Sequence, residues 1–461
     1  MEQQSSHHAL KIRHDVCIGC SHCMKVCPTE ALRVKGGKAL LYPDWCIDCG
    51  ECYRVCPTRA IVIEDDDFKQ IYDYKHRIVM IPTVFYGQFN QVISQGEIDS
   101  ILLEMGFTDV CEVEHTVDVL NDTIKDYIEK HQKPIISSFC PAVIRLVQVN
   151  FPSLVDHVML LKQPLEITAQ YFQQLYAKKK GVNPEEVGVF YITPCAAKIA
   201  SIKAPVGGCF SPINGVINMN YLYNKVFQIH KQKNRSQYPV SYKPQISARG
   251  IKWALTGGEI ADLTDFRCLA IDGVNSVIDI LERLENEEIS EIDYLELRVC
   301  DESCAGGILM QGNRFLTAEH LRDMAKSAPS ENTITDDFRD YLVQNMGVGY
   351  INPRSMIKYD RDTAKALKKM EQARTLKKQL PGIDCGACGA PSCEALSEDI
   401  VREQTTIDSC IFMQTMHQKD GSLSMESAIS IKEVIWGKDR FSHPIPIPPF
   451  NTEKKSNKSE G

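Results

Sequence analysis

Cys17-Ile-Gly-Cys20-Ser-His-Cys23-Met-Lys-Val-Cys27-Pro28-Thr29-Glu30-Ala31-Leu32 recurs as Cys46-Ile-Asp-Cys49-Gly-Glu-Cys52-Tyr-Arg-Val-Cys56-Pro57-Thr58-Arg59-Ala60-Ile61. Residues 15–65 are therefore an internal repeat. Each half runs on into a short apolar stretch suited to a strand, Leu32-Arg-Val and Ile61-Val-Ile. Three cysteines at two-residue gaps, with a fourth before proline, form an iron–sulfur spacing in which the fourth cysteine serves the other half. Zinc motifs usually offer two cysteines per knuckle, so a pair of zinc sites is the weaker account. The proline turns the chain away from the metal and removes one backbone donor.

Along its whole length this segment resembles a two-cluster bacterial ferredoxin. On that spacing Cys17, Cys20, Cys23 and Cys56 hold one 4Fe–4S cluster, and Cys27, Cys46, Cys49 and Cys52 hold the other. The rest of the chain must be read around this module. It has 461 residues, which is too long for one ordinary domain. Its composition, 43% apolar and 24% charged, excludes whole-chain disorder. A net charge of −8 argues against a general nucleic-acid partner. No run of 18 apolar residues exists, so no membrane span is expected. The N-terminus lacks an apolar leader core, so a cytoplasmic location is expected and the 19 cysteines read as metal ligands rather than disulfides.

After the acidic run Glu64–Asp67 the texture becomes that of an α/β domain, from about 75 to 360. Strand-like runs cover Arg77–Thr83, Pro134–Phe139, Val187–Pro194 and Tyr294–Val299, with helical periodicity over Asp118–Lys130 and Val274–Leu284. Three cysteines follow strand-like runs directly: Cys140 before Pro141, Cys195 after Pro194, and Cys300 after Val299. A fourth, Cys304, precedes Ala305-Gly306-Gly307. Ligands gather at the carboxyl ends of strands in open α/β sheets, so these four thiols can meet at one point. Buried core thiols are the alternative on spacing alone.

Ser137-Ser138-Phe139-Cys140-Pro141-Ala142, Thr193-Pro194-Cys195-Ala196-Ala197-Lys198 and Glu296-Leu-Arg298-Val-Cys300-Asp-Glu-Ser-Cys304-Ala-Gly-Gly307 resemble the three signature loops of the FeFe-hydrogenase catalytic domain. The resemblance covers roughly residues 75–360. It implies a 4Fe–4S cluster on Cys140, Cys195, Cys300 and Cys304. It also implies a di-iron CO/CN sub-cluster bridged by Cys304, with Lys198 hydrogen-bonding a cyanide. The departures are equally informative. Phe139 stands where active members carry a proton-relaying cysteine, and a phenyl ring cannot act as acid or base. Val143 replaces a loop-one aromatic, while Thr193 and Arg298 replace two flanking methionines. Asp301-Glu302-Ser303 replace small residues, and no channel acids are recognisable near Asp118–Ile124. Arg298 is a permanent cation, suited either to pairing with an anionic ligand or to filling the second sub-cluster's space.

The last cysteine group is Cys385-x2-Cys388-x4-Cys393-x16-Cys410, with Gly386, Gly389 and Pro391 between the close ligands. Spacing alone leaves zinc or a 4Fe–4S cluster open. The run resembles the small 4Fe–4S domain of Rnf-type and corrinoid iron–sulfur proteins, which implies a fourth cluster. A helix is expected over Glu394–Thr405. Cys111, Cys209 and Cys268 remain as buried structural thiols, and His7-His8 as exposed tail. A basic helix, Asp362–Gln379, reads as a solvated linker face, with docking of an acidic partner as the sharper alternative.

The expected architecture is multidomain α/β. An α+β two-cluster ferredoxin domain (1–72) precedes a two-lobed α/β hydrogenase-like core (73–361). The basic helix and a small helical 4Fe–4S domain (362–420) follow, then a tail (421–461), disordered at least after 443. The whole resembles hydrogenase-like proteins of anaerobic bacteria assigned sensory or regulatory roles. It implies redox or hydrogen sensing with little turnover, through an unidentified redox or signalling partner. An active hydrogenase and an iron–sulfur assembly scaffold are the alternatives.

Overall fold

The computed structural model describes residues 7–89, 92–207, 210–232, 246–331, 334–354, 359–360 and 362–441. The N-terminal repeat folds into two antiparallel pairs. Strand β1 (Leu10–Ile12) pairs with β4 (Ile61–Ile63), and β2 (Leu32–Lys35) with β3 (Lys38–Leu41). The cysteine runs lie in the loops and short helices between these strands. Met24, Ala31, Leu32 and Ile61 are buried in a core that continues into the next sheet.

Two parallel sheets build the central region. In the first, β5 (His76–Ile81) lies between β6 (Asp109–Glu112) and β8 (Val187–Thr193), and β9 (Gly215–Asn218) extends the edge. In the second, β11 (Tyr294–Arg298) is flanked by β10 (Cys268–Asp272) and β7 (Ile135–Ile136). Every residue of β8 and β11 is buried, as expected for parallel strands covered on both faces. This is the two-lobed α/β core. The helical expectations at Asp118–Lys130 and Val274–Leu284 correspond to helices Val117–Lys130 and Val274–Glu285.

Four expectations need correction. The apolar run Pro134–Phe139 forms only the two-residue strand β7. Its continuation is taken up by local bonding, with Ser137 Oγ accepting from Phe139 N at 3.3 Å and Ser138 Oγ donating to Leu161 O at 2.9 Å. His8 is buried rather than exposed, because its Nδ1 lies 2.9 Å from the Asp48 carboxylate. Cys111 is buried in β6, but Cys268 is only half-buried because β10 is a sheet edge; Cys209 lies outside the described residues. The helix expected over Glu394–Thr405 spans Cys393–Val401, since the chain turns before Cys410.

Helix Thr363–Gln379 begins with Asp362 accepting from Ala364 N and Lys365 N, and buries Ala366 and Ala373. The described part of the tail holds a further helix, Met425–Trp436, which lies on the β2–β3 hairpin. There Gly36 N donates to Val434 O at 2.8 Å and Gly37 N to Ile435 O at 3.0 Å. The stretch after 443, expected to be disordered, lies outside the described residues. Among the described residues no helix is long and apolar enough to cross a membrane.

Candidate metal centres

The loops that follow β7 and β11 in one sheet and β8 in the other line a common cavity. Cys140 caps helix Pro141–Asn150, with Pro141 in its first turn, and Cys195 caps helix Ala196–Lys203. Both helix N-termini therefore present partial positive charge where the thiols gather. Cys140, Cys195, Cys300 and Cys304 line one small cavity together with Phe139, Lys198 and Arg298. Gly307 is required here: a Cβ would run into Pro194 O of the neighbouring loop. Burial pushes the Cys195 thiol up to about 12 and the Cys300 thiol well above its usual range. As neutral thiols they are stable in this pocket; as thiolates they need a cation or a metal.

Two cations face these sulfurs, Lys198 half-buried and Arg298 buried. Lys198 Nζ is 3.8 Å from Cys304 Sγ. Burial works against its charge, but Cys304, Tyr191, Cys195 and Glu114 outweigh it and hold the ammonium protonated. Arg298 is likewise held charged against burial, first by Glu259 and then by Glu296. It donates to Glu259 Oε2 at 2.7 Å, and Glu259 also accepts from Tyr294 Oη. Arg298 Nε has no hydrogen-bond partner among the described residues. Four converging thiols, two cations and an orphaned donor fit an anionic iron–sulfur cluster, which thiolates bind and nearby positive charge stabilises.

Phe139 and Thr193, which the resemblance marked as departures, have their own partners. Phe139 packs against Trp253, ring centroids 5.5 Å apart, and is 2% exposed. Thr193 turns into its own loop, where its hydroxyl donates to Cys195 O at 2.9 Å. Glu259, Tyr294 and Trp253 were not singled out from the sequence. Glu259 and Trp253 lie far along the chain from the four cysteines and no motif marks them, while Tyr294, six residues before Cys300, entered only as the start of a strand-like run.

The N-terminal thiols form two groups. Cys17, Cys20, Cys23 and Cys56 line one pocket, floored by Val34, Ala39, Ala60 and Ile61. Burial and then its three companions push Cys23 up to about 12. The other four are mutually close: Cys46 and Cys52 are each raised by burial and by Cys27 and Cys49. Backbone amides reach the fourth cysteine of each half, Ala31 N to Cys27 Sγ and Ala60 N to Cys56 Sγ, both at 3.2 Å. Such N–H···S bonds tune a cluster's potential. Cys49 also lines the core cavity, so the second N-terminal group adjoins the core group. Gly50 makes that approach possible, because at φ 84° it has no Cβ to collide with Ile308. Between the groups, Asp48 is fully buried and bound by Arg145.

In the C-terminal module Cys388, Cys393 and Cys410 share a small apolar core with Leu380, Ala390 and Leu396. Burial first, then Cys385 and Cys410, push Cys388 up to about 11. Asp384 accepts from Cys393 N at 2.6 Å, which fixes the turn carrying Cys385.

Comparison with known proteins agrees with this anatomy. Residues 16–61 match a family profile described as a 4Fe-4S dicluster domain. Residues 75–218 match one described as iron only hydrogenase large subunit, C-terminal domain, and residues 380–412 one described as a putative Fe-S cluster. The periplasmic Fe hydrogenase large subunit of Nitratidesulfovibrio vulgaris is 27% identical over 212 residues, 41% of this chain and 50% of that protein. The cytosolic Fe-S cluster assembly factor nar1 of Talaromyces marneffei is 24% identical over 110 residues, 24% of this chain and 18% of that one. The chain thus spans half or less of the length of these relatives. Among solved structures, an FeFe-hydrogenase of Chlamydomonas reinhardtii aligns over 61% of this chain and 95% of its own, at 13% identity and a TM-score of 0.43.

Proposed function

We propose, for a chain that is a hydrogenase-like iron–sulfur protein, that it carries electrons through four 4Fe–4S clusters and senses redox state or hydrogen with little turnover. The ligand sets would be Cys17, Cys20, Cys23 and Cys56; Cys27, Cys46, Cys49 and Cys52; Cys140, Cys195, Cys300 and Cys304; and Cys385, Cys388, Cys393 and Cys410. If a di-iron sub-cluster is installed beside Cys304, it would supply the hydrogen chemistry; this chain would supply the pocket and the charge of Lys198. The observation that carries the reading is Phe139. It occupies the relay position and is sealed against Trp253, so no acid–base group stands there. Arg298, the other departure, is committed to Glu259 and is not free to move protons.

The test is protein co-produced with the hydrogenase maturases and handled anaerobically. Infrared bands of CO and CN⁻ report a di-iron centre. With those bands present, H2 evolution from reduced methyl viologen should run at least ~100-fold below an ordinary hydrogenase, the usual worth of a general acid–base group. A rate typical of active enzymes would replace this reading with the hydrogenase one, which Lys198 beside Cys304 favours. Iron should total about sixteen per chain without the di-iron centre, four for each cubane. A count near half of that, with zinc, would remove the core and C-terminal clusters. The assembly-scaffold reading draws on the nar1 similarity, but a scaffold has no use for a series of adjoining electron carriers.

A further inference from the structure

The four cysteine groups adjoin one another in series, and the series reaches the surface at one end. Cys49 borders the core cavity. The short helices His22–Lys25 and Glu51–Val55, which carry Cys23 and Cys52, pack on each other. Val34 lines the Cys17 pocket and also the pocket beside Cys388. A Cβ on Gly386 would sit 3.1 Å from Met24, the residue after Cys23. The order is therefore core, second N-terminal group, first N-terminal group, C-terminal module.

Of the sixteen candidate ligands, Cys385 is the one that is exposed. In the Cys17–Cys20 loop Ile18 is exposed, but Cys17 is buried and Cys20 half-buried, and Arg440 from the C-terminal segment donates to Ile18 O and Gly19 O. Around Cys385 the surface is mixed. Ile383 is 57% exposed and Phe412 40%. Helix Thr363–Gln379 leads straight into this turn. Its buried stripe, Ala366 and Ala373, leaves Lys365, Lys368, Arg374 and Lys378 outside, without an ion pair among the described residues. Lys369 and Lys377 are already paired, with Asp360 and Glu394. On a chain of net charge −8, these four cations without ion pairs, with Glu371 the one acid among them, line the exposed side of the helix that leads to the exposed ligand.

We infer that the C-terminal module is the electron port, and that a small acidic one-electron carrier protein docks there on the Lys365–Lys378 face. A basic face steers an acidic partner, and a small apolar contact at its edge suits a short-lived complex. In each encounter the carrier is oxidised by one electron and this chain is reduced by one, with no bond formed or broken. The inference rests on the four-cluster reading above.

The probe is a small acidic flavodoxin, with iron-counted, full-length protein. Binding of oxidised flavodoxin is titrated at low and high salt, and reduction by fully reduced flavodoxin is followed by stopped flow. Three proteins are compared: wild type, K365E/K368E/R374E/K378E, and K178E/K179E/K180E, which reverses an exposed basic cluster on another helix. The quadruple variant should bind at least ~10-fold more weakly at low salt, lose most of the salt dependence, and be reduced correspondingly slowly. The triple variant should match wild type. Both should be reduced normally by reduced methyl viologen, a small cation that needs no docking face. Unchanged binding of the quadruple variant, or equal losses in both variants, would overturn the port. Absence of iron from the C-terminal module would sink the four-cluster reading instead.

Discussion

Arg298 is the charge around which one wall of the core pocket is organised. A guanidinium in this pocket needs a counter-charge, and Glu259 and Glu296 supply two where one would balance it. Glu296 accepts from the amides of Gly257 and Glu259 at 3.1 Å and of Ile260 at 3.2 Å. Burial first, and then the charge on Glu259, outweigh these bonds and push Glu296 up to about 8. An unfolded glutamate titrates near 4.5. Between the two values the folded chain keeps a proton that the unfolded chain has lost. Stability should therefore fall as pH rises from about 4.5 to about 8 and level off above, with a slope of at most about 1.4 kcal/mol per pH unit. Glu296→Gln should flatten that decline relative to wild type, measured as the urea midpoint of anaerobic protein between about pH 6 and 9. Parallel declines in the two proteins would assign the titration to another group.

At the scale of elements, the C-terminal module depends on the helix Met425–Trp436 that follows it. Trp436 Nε1 donates to Ala387 O at 2.9 Å, between two of the module's cysteines, while the same helix end bonds Gly37 of the β2–β3 hairpin. Trp436→Ala removes both a contact surface and a donor. It should cost about 2 kcal/mol, below the range for a fully buried tryptophan, and make the module the first part lost. The check is iron release on mild heating: about four irons should leave early, and later loss should match wild type. Cys388→Ser should remove the same four from the outset and spare the other twelve or so. This helix was not legible in the sequence. Its apolar residues include exposed Met425, Ile429 and Val434, and no cysteine or glycine signature advertises what it packs on. Helices Val117–Lys130 and Val274–Glu285 were legible because one face is apolar and the other polar. The thiols that the structure gathers were legible as groups because iron–sulfur motifs follow a regular spacing. The partners that adjust them, Glu259 and Trp253 among them, obey no spacing, since tertiary contacts choose them.

Across the whole molecule, one carboxylate ties three parts together. Asp48 sits between Cys46 and Cys49, fully buried. It accepts from His8 at the N-terminal end, from Ala9 N at 3.1 Å, and from Arg145 on the helix that begins just after Cys140. Arg145 is itself 1% exposed and also donates to His7 O at 3.2 Å. The link thus runs from the ferredoxin-type domain to the core at the point where their cysteine groups adjoin. Arg145→Met keeps the aliphatic bulk and removes the charge, which leaves Asp48 buried without its main counter-charge. The expected cost is about 3–5 kcal/mol, the usual penalty for half of a buried pair. Asp48→Asn in the same chain should recover part of it, giving a coupling of about 0.5–3 kcal/mol in a double-mutant cycle. The electronic readout is separate from the stability readout. In dithionite-reduced wild type, neighbouring paramagnetic clusters should broaden each other's magnetic resonance spectra. In Arg145→Met the lines assigned to the core and to the Cys49 group should sharpen towards those of isolated clusters, with iron content unchanged. Sharpening without loss of iron would mean that the ion pair sets the distance between the two groups. Loss of stability with the interaction spectrum intact would mean that the loops around Gly50 and Ile308 hold that distance unaided.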